Sequence, residues 1–183
     1  EAFSLVGAHN VSNAMCATAM ASAFGIDAST IRAAIESFEP LPHRVEVLGS
    51  SGGVDWVNDS KATNVNAALA GLECLEAPYV AIVGGVDKGL DLEPLCEELS
   101  ARASGVVLIG AIADRLEREL QAREAPPSVV RAAGMEEAVR KAWERARKED
   151  ASVILSPACS SFDMFDSYED RGEVFRAAVA DLS

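Results

Sequence analysis

Two continuously apolar runs, "YVAIVGG" at residues 79–85 and "GVVLIG" at 105–110, constrain this chain most. Neither alternates polar with apolar residues, so each predicts a strand covered on both faces. Four further runs, "RVEVLG", "VDWVND", "SVVRAA" and "ASVILSP", are interleaved with amphipathic helical patterns near residues 63–75, 91–102, 112–122, 135–149 and 170–181. Strand and helix in alternation predict βαβ crossovers, and hence a Rossmann-like α/β fold with a mostly parallel sheet and helices on both faces. Ligands of such sheets sit beyond the carboxyl ends of the strands, which is where polar chemistry is expected.

Two helical patterns precede this region: residues 10–24, closed by Gly25, and residues 29–38, with Ser29 as the expected cap. "FEPLPHRVE" follows, and Pro40 and Pro42 end the helix and stiffen an extended linker. A domain boundary is therefore placed here, dividing residues 1–41 from residues 42–183. The chain begins Glu-Ala-Phe without an initiator methionine, and it reads as a fragment.

Composition narrows the partners. A net charge of -13 opposes a nucleic-acid groove or an anionic membrane surface, although a local cluster of cations still suits a small anionic ligand. No apolar stretch approaches the ~20 residues of a membrane span. The four cysteines are scattered without a CxxC pair, which fits a reducing cytosol, and all four are expected to be small buried apolar residues. Two histidines without a nearby cysteine pair make no metal site.

The polar segments do follow strands. In "NDSKATNVNAAL", residues 58–69, a helix start accounts for Thr63 as a cap and for Asp59 at the positive end of the dipole. It does not account for Lys61, a cation at a helix N-terminus, unless a phosphate or carboxylate rests there. "VGGVDKGLD", residues 83–91, offers Gly84, Gly85 and Lys88 without P-loop spacing; a glycine turn with a solvated lysine is the plain alternative. "ILSPACSSFDMFDSYEDRG", residues 154–172, lacks GxSxG, and His9 and His43 are remote in sequence, so a serine hydrolase is disfavoured. Its serines are read as donors to an anion, or as spare helix caps. Asn10 and Asn13, spaced i, i+3 in "GAHNVSNAM", suit the donor and acceptor edge of an adenine, or simply solvent. Arg44 lies at the linker.

In order and spacing, "GAHNVSNAM", "LPHRVE", "NDSKATNVNAAL", "GGVDKGLD" and "LSPACSSFDMFDSYEDRG" resemble the Mur ligases end to end. "DSKATN" is most similar to the branch that joins D-glutamate to UDP-N-acetylmuramoyl-L-alanine in peptidoglycan precursor synthesis. The resemblance implies a cytoplasmic, monomeric, ATP-dependent ligase that forms an acyl phosphate. Residues 1–41 would be the helical tail of a central ATP-binding domain and residues 42–183 an amino-acid-binding domain. The GKT phosphate loop, the Mg2+ ligands and the uridine-nucleotide domain would lie in the remaining two domains, so the fragment alone is expected to be inactive. Asn10, Asn13, His43, Arg44, Asp59 and Lys61 would face the nucleotide, with Lys61 catalytic. Thr63, Lys88, Ser161 and Tyr168 would hold D-glutamate, Arg171 supporting them. The family commonly carries phenylalanine where this chain has Tyr168, so the role that transfers is that of its backbone.

Three rivals remain at this stage. A sister ligase of Mur or folylpolyglutamate type would share the chemistry. A receiver-like signalling module would use Asp59 and Lys88, but "RVEVLGSSGG" lacks the acidic cluster it needs. A dinucleotide-binding domain would need GxGxxG after a strand, and none is present.

Overall fold

The structure, a computed structural model, describes residues 8–182. It divides into two compact units, Glu1–Pro42 and His43–Ser183. In the first, α1 (Ala8–Ala23) and α2 (Ala28–Glu36) form a helical pair. Gly25, at φ +80°, donates its N–H to the Ser22 carbonyl and ends α1, a left-handed step that glycine takes without strain. The cap of α2 differs from expectation. Asp27 holds that position, its carboxylate accepting from Ser29 N and Thr30 N, because a carboxylate one turn back reaches both orphan donors.

The second unit is a six-stranded sheet in the order β1-β2-β6-β3-β4-β5. Its strands are β1 (Glu46–Ser51), β2 (Val54–Asn58), β3 (Tyr79–Gly84), β4 (Ala103–Ile109), β5 (Ser128–Arg131) and β6 (Ser152–Leu155). The helices are α3 (Val65–Leu72), α4 (Glu93–Arg102), α5 (Ala113–Gln121), α6 (Met135–Glu149) and α7 (Tyr168–Ala180). All pairings are parallel except β1 with β2. That exception has a local cause: Gly52 and Gly53, at φ +59° and +77°, make a two-residue turn that reverses the chain and leaves no room for a crossover. Trp143 Nε1 donates to the Gly52 carbonyl at 2.9 Å and fills the space a side chain there would need.

The apolar runs are covered on both sides. Along β3, Tyr79, Ala81 and Val83 pack with Leu95, Leu99 and Leu116, while Val80 and Ile82 pack with Val139 and Ala142. The two-residue period of a strand sends neighbours to opposite faces, so one run builds two cores. Truncating a fully buried leucine such as Leu99 to alanine costs about 2–5 kcal/mol in cores of this kind. Trp56 of β2, fully buried, meets Phe175 of α7 edge-on with ring centroids 5.9 Å apart. This contact fixes α7 on the sheet, and with it Tyr168 at the start of α7.

The cysteines divide. Cys96 and Cys159 are buried, and desolvation pushes their thiols up to about 11, whereas Cys74 is half-buried and Cys16 exposed. The expectation that all four are buried fails for Cys16, which lies on the exposed side of α1. No helix of the described residues is long and apolar enough to cross a membrane.

Candidate functional site

β6 is inserted between β2 and β3, so the segments that follow these three strands meet at one edge of the sheet. Backbone bonds join them: Asp59 N–H to the Leu155 carbonyl at 2.8 Å, Gly84 N–H to that of Pro157 at 3.0 Å, and Val86 N–H to that of Ser160 at 3.0 Å. Gly84 and Gly85 have φ near +140°, and a Cβ on either would strike the carbonyl oxygen of Ile109 or Ser160. Glycine here lets adjacent loops pack backbone to backbone.

Arg171 is the buried centre of this assembly. Fully enclosed, it donates from Nε to Ser60 Oγ (3.0 Å), from a terminal nitrogen to the Ser60 carbonyl (2.8 Å) and from the other to the Cys159 carbonyl (3.0 Å). All three acceptors are neutral, and burial pulls the guanidinium down to about 10. Ser60 Oγ in turn donates to the Tyr168 carbonyl at 2.7 Å. One cation therefore ties the β2 loop, the β6 loop and the start of α7 together. In sequence Arg171 counted only as support, and nothing pointed to Ser60, because the tie spans 111 residues.

Asp59 faces inward. It is 4 % exposed; Oδ2 accepts from Ser156 Oγ at 2.9 Å and Oδ1 from Val45 N at 3.2 Å. Desolvation, opposed by those bonds, pushes its carboxyl up to about 6. A Cβ on Gly71 would collide with Oδ2, so a glycine within the alanine-rich α3 makes room for the acid. In this fold the Asp59 oxygens accept from the protein's own groups, the Ser156 hydroxyl and the Val45 N–H. His43 is likewise buried, its Nδ1 3.0 Å from Asn58 Nδ2 and its ring closing over Gly172. His43 and Val45 adopt φ +62° and +45°, a region costly for such residues, and are held there by His43 N–H to Glu46 Oε2 (3.0 Å) and by Lys61 N–H to the His43 carbonyl (2.9 Å). Arg44, between them, is exposed.

Lys61 is half-buried, with Nζ 3.2 Å from Tyr168 Oη and 5.0 Å from the ring centroid. Thr63 does not cap α3; Asn64 does, accepting from Ala67 N at 2.9 Å, which frees Thr63 from the role a helix start would give it. Lys88 is exposed on the β3 loop and close enough for its charge to act on the Cys159 thiol. Ser161 is 2 % exposed, and its carbonyl accepts from Met164 N and Phe165 N. Its neighbour Ser160, one of the serines the sequence offered as anion donors, buries a hydroxyl with no hydrogen-bond partner among the described residues. The first-turn N–H groups of α7 have no intrahelical partner either; that of Asp170 is taken by the Ser167 cap. The resulting edge offers Lys61, Lys88, a spare hydroxyl and a helix N-terminus, a donor set suited to a carboxylate or phosphate.

In the first unit, Asn10 and Asn13 share the face of α1 that, with α2, lines a cavity of about 360 Å³ whose other walls include Ile31, Ile35 and Phe38. Among the described residues, no group of three or more His, Cys, Asp or Glu side chains is placed to hold a metal ion.

Residues 43–159 match the family model described as Mur ligase, glutamate ligase domain. The chain belongs to the Mur ligase family. More particularly, it is 44% identical over 180 residues to the UDP-N-acetylmuramoylalanine--D-glutamate ligase of Nitrosococcus oceani, covering 97% of this chain and 39% of that protein. It is 42% identical over 184 residues to the ligase of the same name from Gloeobacter violaceus, covering 100% of this chain and 42% of that protein. The chain thus spans about two-fifths of the length of these relatives. Among solved structures, folylpolyglutamate synthase of Mycobacterium tuberculosis, complexed with ADP and AMPPCP, superposes with a TM-score of 0.71 at 19% identity, over 94% of this chain and 41% of that one. UDP-N-acetylmuramate-alanine ligase of Thermotoga maritima does so with 0.67 at 13% identity, over 99% and 40%. At such identities the likeness speaks for the fold, and the α/β expectation is borne out.

Proposed function

We propose that this chain is the C-terminal part of an ATP-dependent ligase that joins D-glutamate to UDP-N-acetylmuramoyl-L-alanine, and that its second unit binds and orients the incoming amino acid. The carrying observation is the convergence of Lys88, Ser160, Ser161 and the start of α7 on one sheet edge, in a chain whose relatives at 37–44% identity bear that ligase's name. A dicarboxylate needs a cation for one end and several neutral donors for the other. Lys88 supplies the first; Ser161, the backbone near Tyr168 and Thr63 supply the second. Orientation of this kind lowers the barrier to amide formation by several kcal/mol.

ATP is the proposed co-substrate, which activates the alanyl carboxylate as an acyl phosphate. The cations Arg44 and Lys61 suit its phosphates, with His43 and Asp59 beneath them as supports, and Asn10 and Asn13 suit its adenine. Mg2+ ligands are assigned to the remaining domains of the enzyme. A cytoplasmic, monomeric protein fits this reading. Stabilised at developing phosphoryl charge, the Lys61 ammonium acts in turnover more than in ground-state binding.

The deciding experiment supplies the complete ligase containing this sequence with ATP, UDP-N-acetylmuramoyl-L-alanine and a panel of amino acids. Phosphate release strictly dependent on D-glutamate is expected. Equal turnover with another amino acid would replace the assignment with a sister ligase.

A further inference from the structure

We propose that the Tyr168 side chain is a positioning residue for Lys61: its hydroxyl, carried on a braced ring, fixes the ammonium at the start of α7. The proposal rests on the assignment of Lys61 above and deepens it.

Lys61 Nζ donates to Tyr168 Oη at 3.2 Å and lies 5.0 Å from the ring centroid, so the ammonium sits at the hydroxyl end of the ring. Both backbones are fixed from below. The Tyr168 carbonyl accepts from Ser60 Oγ, which is itself bonded to the buried Arg171, and Lys61 N–H is bonded to the His43 carbonyl. The Tyr168 ring is also braced by the His43 imidazole, edge-on with centroids 6.4 Å apart. Lysine carries a long, flexible stem, and without such a hold its ammonium samples many positions.

The partner's chemistry matters as much as its place. A carboxylate would hold Lys61 equally well but would neutralise it. A phenol fixes the nitrogen while using one of its three donor hydrogens, leaving charge and two donors for an anion.

The test pairs a spectroscopic signature with kinetics, using Tyr168→Phe, Tyr168→Leu and Lys61→Ala. In this chain, 15N relaxation of the Lys61 ammonium is expected to show an ordered side chain, with that order lost in both Tyr168→Phe and Tyr168→Leu. In the complete ligase, kcat is expected to fall about 2- to 5-fold in Tyr168→Phe, from the loss of the hydrogen bond, and at least as far in Tyr168→Leu. KM for D-glutamate should stay within about twofold in both, since the backbone that meets the amino acid is held by Ser60. Because Tyr168 acts through Lys61, Tyr168→Leu should cause no further loss of kcat in a Lys61→Ala background. A Lys61 ammonium as mobile in the unsubstituted chain as in Tyr168→Phe, additive losses in the double variant, or a rise of KM in step with the fall of kcat would each overturn the proposal. Failure of the unsubstituted ligase to join D-glutamate would overturn the function above and Tyr168's part in turnover, while the ammonium's relaxation would still report on the hold.

Discussion

Arg171 binds both the hydroxyl and the carbonyl oxygen of Ser60, a residue 111 positions earlier, and among the described residues no carboxylate accepts from it. The pair converts an α7 side chain into the floor of the β2 loop. A buried cation held only by neutral oxygens is expensive to misplace, and this predicts an unusual order of variants. Arg171→Met removes the bonds but also the desolvated charge, and should destabilise the chain by about 1–3 kcal/mol. Arg171→Lys keeps the charge and loses the planar fork, and should be the less stable of the two. Urea unfolding of both checks the order; a lysine variant as stable as the native chain would refute it.

Asp59 carries a pH dependence. Its carboxyl is pushed by burial from an unfolded value of 3.8 to about 6 in the fold. The folded state therefore favours the protonated acid, and the contribution, fully present below pH 4, is lost as pH rises through about 6. The difference is on the order of 3 kcal/mol at most. Asp59→Asn, which stays neutral, should gain stability relative to the native chain between pH 4 and pH 6, with the difference level above that. Thermal melts across this range measure it, and a pH-independent difference would count against the buried, strained acid.

Gly71 and Asp59 share one volume. Gly71→Ala places a methyl against Asp59 Oδ2 and should cost about 1–3 kcal/mol, as overpacked cores do. The same change in an Asp59→Ala background should cost less, because the colliding oxygen is gone. A double-mutant cycle with no coupling would show that α3 shifts instead.

Lys88 and Lys61 should separate kinetically in the complete ligase. Lys88→Ala is expected to raise KM for D-glutamate by roughly tenfold or more while leaving KM for ATP unchanged, as loss of one charge-assisted contact does. Lys61→Ala should lower kcat instead. Unchanged D-glutamate kinetics in the first, or native kcat in the second, would remove that residue from the site.

Much of this was legible along the chain. "YVAIVGG", "GVVLIG" and "ASVILSP" declared buried strands because a two-faced core needs uninterrupted apolar residues, and the helices between them showed their period. The polar segments after those strands marked the site's edge, since an α/β sheet leaves its loops there. The antiparallel β1 was not drawn from the sequence, although Gly52 and Gly53 between the two runs were its local signal.

What the sequence by itself determined was therefore the alternation, the layers and the places where chemistry gathers, all properties of neighbours within a few residues. Tertiary structure alone decided which way the polar groups turn. Asp59 and Lys61 are two positions apart, yet Asp59 is enclosed by Ser156 and Val45 while Lys61 reaches Tyr168. Burial and partners as far as 97 and 107 residues away set that difference, and no local pattern encodes it. The motif that local chemistry read as a single polar patch is, in the fold, an inward strut beside an outward cation.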